Sequence, residues 1–223
     1  MSNYNYYGQA EQDKFVCNVL QNHQNGVFVE IGSQSPTDIN NTYILENKLG
    51  WTGLMLEIDK TRWEAEYCKH RPKSKHIFGN ALQHNYQELF KREKLPSVID
   101  YLQLDIDPGV NTYTCLSLLD EQVMNDYTFR VITFEHDYYA NKCEAREKSR
   151  NILNRRGYYL VFGDICNRHP EAVYEDWYVH PDFVDMNYIK HLQQVNELNY
   201  ESSNLTGRAI DWYNIVYPDF VQT

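Results

Sequence analysis

The feature that most restricts this chain is a repeated pairing, in which a short apolar, strand-prone run stops at an acid or a glycine and a helix-patterned segment follows. VFVEI (27–31) stops at Gly32, GLMLEID (53–59) carries Glu57 and Asp59, and KHIFG (75–79) ends at Gly79. VIDYLQLDID (98–107) closes with Asp105 and Asp107, and RVITFEHD (130–137) with Glu135, His136 and Asp137. Helical patterns fill the gaps: Thr42 to Leu49 ending at Gly50, then TRWEAEYCKHR, NYQELFKREK and TYTCLSLLDEQV, and an exposed AREKSRNILNRRG helix closed by Gly157. Short buried runs alternating with helices specify a mostly parallel sheet covered on both faces. Right-handed crossovers make it doubly wound. YYLVFGD and AVYEDWYVH lack a comparable helix between them, so the expected α/β, Rossmann-like sheet has seven strands and an antiparallel finish.

No low-complexity linker divides the 223 residues, and 42% hydrophobic content is enough to fill one continuous core. The chain therefore reads as a single domain over 1–223, with a covering helix in 1–26 (AEQDKFVCNVLQ), a core over 27–181 and an extension over 182–223. In that extension, IKHLQQVNEL and the aromatic AIDWYNIVYPDF leave three uses open: small elements, closure of a substrate pocket, or a homo-oligomer contact. A formal charge of -10 gives a field that repels polyphosphates and anionic bilayers, so neither nucleic acid nor membrane is an expected partner. MSNYNYYGQAEQDK is not a secretory leader, and no run approaches the roughly 18 apolar residues of a membrane span, which points to a soluble cytoplasmic protein. The five cysteines form no C-x-x-C pair and read as reduced, mostly buried thiols.

In an open parallel sheet, ligands bind in the crevice beyond the carboxyl ends of the strands. Acids collect there in this chain, and a buried carboxylate needs a hydrogen-bonding or cationic partner. Gly32 lets the first loop approach a cofactor without a Cβ in the way. Glu57, on the second strand, is placed to accept hydrogen bonds from two ribose hydroxyls. This spacing does not by itself separate a nicotinamide cofactor from S-adenosylmethionine. The dinucleotide fingerprint G-x-G-x-x-G is missing, since Ser33, Gln34, Ser35 and Pro36 follow Gly32, and pyrophosphate recognition is weak as a result.

Taken together, VFVEIGSQSPTDINNTYILENKLGWTGLMLEID, DYLQLDIDPG, VITFEHD, REKSRNILNRRGYYLVFGD and EDWYVHP resemble the FkbM-type S-adenosylmethionine-dependent methyltransferases, from about Val27 to Pro181. The resemblance implies a class I methyltransferase fold and methylation of a hydroxyl on a carbohydrate or other small polar acceptor. It maps Glu30 and Gly32 onto the first cofactor loop, although Ser35 and Pro36 stand where the family has a further glycine. Asn41 and Thr42 match the polar entry to the next helix, Glu57 the ribose-binding acid, and Asn80 with Ala81 the adenine-side loop. Asp105 with Asp107, and Glu135 with His136, match the tips after the fourth and fifth strands. With Ser33 and Ile58 beside Gly32 and Glu57, these form the expected donor site: Glu30, Gly32, Ser33, Asn41, Thr42, Glu57, Ile58, Asn80, Ala81 and Asp105.

An alcohol is a poor nucleophile while protonated, so a base or a metal should assist its methylation. If the fourth strand continues to its second acid, Asp105 and Asp107 share one face. Joined by Glu135 and Asp137, they make a candidate oxygen-rich site suited to Mg2+, with His136 as base. In the competing metal-free scheme His136 takes the proton and Asp105 or Glu135 fixes its tautomer. Two other readings compete with the enzyme: a nicotinamide-dependent oxidoreductase, and a degenerate methyltransferase fold kept as a binding subunit.

Overall fold

The apolar runs form one sheet in a computed structural model that describes residues 4–141, 144–198 and 209–220. The elements are α1 (Gln12–Val19), β1 (Val27–Ile31), α2 (Tyr43–Leu49), β2 (Thr52–Glu57), α3 (Lys60–His70), β3 (Lys75–Phe78), α4 (Tyr86–Arg92) and β4 (Val98–Leu104). They continue as α5 (Gly109–Gln122), β5 (Thr128–Glu135), α6 (Tyr138–Asn141), α7 (Ala145–Arg155), β6 (Tyr159–Cys166), β7 (Glu175–Val179), α8 (Met186–Val195) and β8 (Ile210–Asp211). Strand order is β3-β2-β1-β4-β5-β7-β6-β8, and β7 runs antiparallel to both of its neighbours. An eighth strand, two residues long and parallel to β6, lies beyond the seven expected, too short to leave a period in the sequence.

Alternation along the strands sends successive side chains to opposite faces. Phe28, Met55, Tyr101, Val131 and Trp177 bury one face against α1, α2 and α8. Val29, Leu54, Leu102, Ile132 and Tyr178 bury the other against α4, α5 and α7. The exposed helix expected at 145–157 is corrected accordingly. Ser149, Arg150, Ile152 and Leu153 of α7 are buried, while Arg155 and Arg156 pair with Asp120 of α5. Cys17, Cys115 and Cys166 are buried free thiols and Cys68 an exposed one; Cys143 lies outside the described residues. Among the described residues, no helix is long and apolar enough to cross a membrane.

Two close approaches fix the carboxyl edge. Gly32 has φ +85°, and a Cβ there would overlap the backbone carbonyl of Asp105. Gly109, which opens α5, would in the same way overlap the carbonyl of His136. The tip of β1 thus rests on the tip of β4, and the start of α5 on the end of β5. A further correction concerns β4, which ends at Leu104. Asp105 and Asp107 follow it in the turn leading to α5, so they do not share a strand face.

Gly32→Ala should lower unfolding free energy by about 3 kcal/mol, since left-handed strain and a backbone overlap act together. Urea denaturation measures this, and a loss below about 1 kcal/mol would contradict the packing assigned to this turn.

Candidate functional site

Glu30 comes off β1 into the face covered by α1 and α2, where its carboxylate is buried. Thr42 Oγ1 donates to Glu30 Oε2 at 2.9 Å and Asn40 Nδ2 at 3.2 Å. Behind them Arg71, at the end of α3, is fully buried. Its Nε donates to Glu46 at 3.0 Å, one Nη to Asn40 Oδ1 at 2.8 Å and to the Pro36 carbonyl at 3.2 Å, and the other to Thr42 Oγ1 at 2.7 Å. Its Nη1 is 4.0 Å from Glu30 Oε2. Burial pushes the Glu30 carboxyl up to about 7, against the pull of Arg71, Thr42 and Asn40. This network holds the 32–42 loop in shape. Thr42, expected to touch the donor, instead spends its hydroxyl inside the network with no exposed surface.

A crevice of about 370 Å3 opens between the tips of β1, β2, β3 and β4. Gly32, Glu57, Ile58, Asn80, Ala81 and Asp105 all line it. Glu57 is held by backbone, not by Lys60 or Arg62: Gln34 N donates to Oε2 at 2.7 Å, and Ile58 N and Asp59 N to Oε1 at 2.8 and 2.9 Å. A carboxylate has about four acceptor positions, so this one is oriented without being saturated. Ile58 is 70% exposed, a large apolar side chain presented at the mouth. Asn80 accepts from Leu82 N at 2.9 Å, capping the 3-10 turn Ala81–Gln83 while remaining on the rim. Ser33 donates to the Leu56 carbonyl at 3.2 Å, with the Tyr67 hydroxyl 2.9 Å from its Oγ. Among the described residues, no Lys or Arg lines the crevice.

A second, smaller recess of about 50 Å3 shares Gly32, Gln34 and Asp105 with the crevice and runs toward β5 beneath the N-terminal segment. Glu30, Ser33, Asn41, Gln103, Glu135 and Tyr174 face it, with Gln9 and Gln12 overhead. Asp105 and Glu135 share a side-chain hydrogen bond, Glu135 another with Asp137, and Asp137 a third with Asp107. Desolvation is the largest cause raising the carboxyls of Asp105, Glu135 and Asp137; the charges of neighbouring acids add to it, while the hydrogen bond from Glu135 pulls Asp105 and Asp137 the other way. Glu175 lies behind them, bonded by Gln12 Nε2 at 2.9 Å and pushed up by burial to about 8. Asn41 Oδ1, Gln103 Oε1 and the Tyr174 hydroxyl are buried without a hydrogen-bond partner among the described residues.

Two catalytic expectations change. Among the described residues, His136, Asp164 and Asp176 form the one trio of such ligands within 4.8 Å of one another. Asp105, Asp107, Glu135 and Asp137 make a run of pairs, which does not fit the Mg2+ cage expected of them. The trio itself is gripped by guanidinium groups, Arg150 bonding Asp176 at 2.7 Å and Asp164 at 2.9 Å, and Arg146 bonding Asp164 at 2.9 Å. Burial opposes ionisation of Asp176, yet Arg150 and then His136 hold its carboxyl far below the usual range. His136, expected as the base, is fully buried and lines neither cavity, its Nε2 being 3.5 Å from Asp176. The reason is the strand period, which turns Glu135 and the next residue to opposite sides.

Sequence reasoning missed Arg71, Gln103, Tyr174 and Glu175. In KHR (69–71) a basic helix end reads as solvated. Gln103 does alternate with Leu102 and Leu104, a polar residue on a buried strand, and that was a usable signal.

The fold is shared with known structures. Aeropyrum pernix fibrillarin, in complex with natively bound S-adenosyl-L-methionine, superposes with TM-score 0.51 at 11% identity, covering 77% of this chain and 74% of that one. The N-terminal domain of EvdMO1, in the presence of SAH and D-fucose, gives TM-score 0.50 at 11% identity, covering 79% and 84%. The likeness is one of fold: a mostly parallel, Rossmann-like α/β sheet. No protein-family model matches the chain, and no curated protein sequence does.

Two outcomes follow from the buried charges. Arg71→Met should cost about 3 to 5 kcal/mol, because it strands Glu30 and Glu46 in a dry site; chemical denaturation checks it. The second concerns pH. Asp13, Glu30 and Glu175 release protons near 3.8 to 4.5 when unfolded but near 7 to 8 when folded, so their contribution is complete at low pH and is lost as pH rises. Melting temperature should fall by roughly a few degrees between about pH 5.5 and 8, and a rise over that window would refute the assignment.

Proposed function

We propose that this chain is an S-adenosylmethionine-dependent methyltransferase of the FkbM type, acting on a hydroxyl of a small polar acceptor such as a carbohydrate. One observation carries the reading: a nucleoside-sized crevice with an oriented, unsaturated carboxylate, Glu57, on one wall and, among the described residues, no Lys or Arg to meet a phosphate. Eleven residues, 32–42, separate β1 from α2, so no helix N-terminus follows the glycine turn directly as pyrophosphate binding requires. That weakens the nicotinamide alternative.

In this reading Glu57 accepts from the ribose hydroxyls, Ile58 and Ala81 flank the adenine, and Asn80 meets its polar edge. The amino-acid end of the donor extends over Gly32 and Ser33 toward Glu30, Asn41 and Asp105. Bound S-adenosylmethionine supplies an electrophilic methyl on a sulfonium. The protein's task is then to align the acceptor oxygen and receive its proton. Asp105, paired with Glu135 and raised by burial, takes over the role first expected of His136. A carboxylate of raised pKa is a stronger base near neutral pH, and Asp137 and the exposed Asp107 give the proton an outlet to solvent. His136 instead braces the Arg150–Asp176 cluster below the site.

Calorimetry with S-adenosylmethionine, S-adenosylhomocysteine and NAD tests the donor. The first two should bind and NAD should not; absence of binding by both sulfur nucleosides leaves a binding or assembly role. Glu57→Gln should weaken S-adenosylhomocysteine about 10- to 100-fold, the worth of hydrogen bonds to a charged acceptor.

A further inference from the structure

We propose that the acceptor carries a positive charge, an ammonium beside the hydroxyl to be methylated, and that Glu135, Gln103 and Tyr174 hold that ammonium. The inference rests on the donor reading above and names the substrate class of the same site.

The recess offers hydrogen-bond acceptors in excess. Gln103 is 3% exposed and Tyr174 8%, both line the recess, and Gln103 Oε1 and the Tyr174 hydroxyl have no partner there. A buried polar atom left unmatched is costly, and a ligand that completes its hydrogen bonding recovers that cost. Among the described residues, those facing the recess include Glu30, Asp105 and Glu135 but no Lys, Arg or His. Glu30 has Arg71 beside it, but a neutral polyol would bring no positive charge to Asp105 and Glu135, and a phosphorylated or carboxylated acceptor would add like charge. An ammonium supplies three donors and one positive charge.

The donor's own ammonium does not serve the whole recess. Glu30 and Asn41 belong to β1 and the loop after it, whereas Glu135 ends β5 and Tyr174 immediately precedes β7. β1 and β5 are separated by β4, hence by two strand spacings, roughly 10 Å. Three hydrogen bonds of about 2.9 Å from one nitrogen do not bridge that span. The β1 end falls to the donor, and the β5 end is left for the acceptor. The 50 Å3 volume suits a head group rather than a whole molecule, so the body of the acceptor lies toward the mouth, where Ile39 is exposed.

The test uses protein saturated with S-adenosylhomocysteine and two matched triads: glucosamine, glucose and glucose 6-phosphate; and 2-aminoethanol, ethylene glycol and glycolate. Calorimetry at low salt measures binding, and mass spectrometry with S-adenosylmethionine detects methylated product. In at least one triad the amine should bind about tenfold more tightly than the neutral member, with the anion weakest. Glu135→Gln and Tyr174→Phe should each reduce that preference about fivefold while leaving S-adenosylhomocysteine affinity nearly unchanged. Gln103→Met, which keeps the volume and removes the amide, replaces Glu135→Gln if the latter fails to fold. Equal binding of amine and neutral members, preference for an anion, or no amine binding to the loaded protein overturns the proposal. So does a Glu135→Gln variant that loses S-adenosylhomocysteine yet keeps the amine preference. Failure of wild-type protein to bind S-adenosylhomocysteine at all would instead bring down the donor reading, and the two failures are distinguishable by that measurement alone.

Discussion

A guanidinium held completely out of water is the constraint on which the site depends. Arg71 loses its hydration in the fold and recovers it from Glu46, Asn40, Thr42 and the Pro36 carbonyl, with Glu30 next to it. Those partners come from β1, α2 and the loop between them, so one side chain at the end of α3 ties three segments together. Without it, Glu30 and Glu46 would be charges in a dry interior. The 32–42 loop, which lacks the repeated glycines of a phosphate-binding turn, is shaped from behind by this network rather than by its own backbone preferences.

Charge pairing separates two kinds of acid in this protein. Asp164, Asp176 and Asp120 each meet an arginine at close range, and the carboxyl of Asp176 is held ionised by Arg150. These acids support packing between α7, α5 and the sheet. Asp105, Glu135 and Asp137 meet one another instead, and their carboxyls rise. Like groups gathered at a partly buried edge, where no described lining residue is a Lys or Arg, are poised for a ligand or a proton. The contrast favours the proposed chemistry at the tips of β4 and β5, with His136 among the paired, packing groups.

Much of the architecture was legible in the chain because it depends on local patterns. Apolar runs such as VFVEI and GLMLE, punctuated by Gly32 and Gly50 and interleaved with helical segments, specify a parallel sheet whatever the distant contacts are. The antiparallel seventh strand could be read from the missing helix between YYLVFGD and AVYEDWYVH. Alternation along RVITFEHD already implied that Glu135 and His136 face opposite ways, though not which of them meets solvent.

The sequence by itself determined that acids and a close-approach glycine gather at one sheet edge, since strand period and crossover handedness act over a few residues at a time. Only the tertiary structure decided their use. Gly32 is required by the carbonyl of Asp105, more than seventy positions away, and Thr42 is consumed by Arg71 rather than offered to a ligand. Whether a carboxylate lies beside a guanidinium or beside another carboxylate is set by which helix packs on which face. That long-range packing leaves no period in the chain, and it decides whether an acid is structural or reactive.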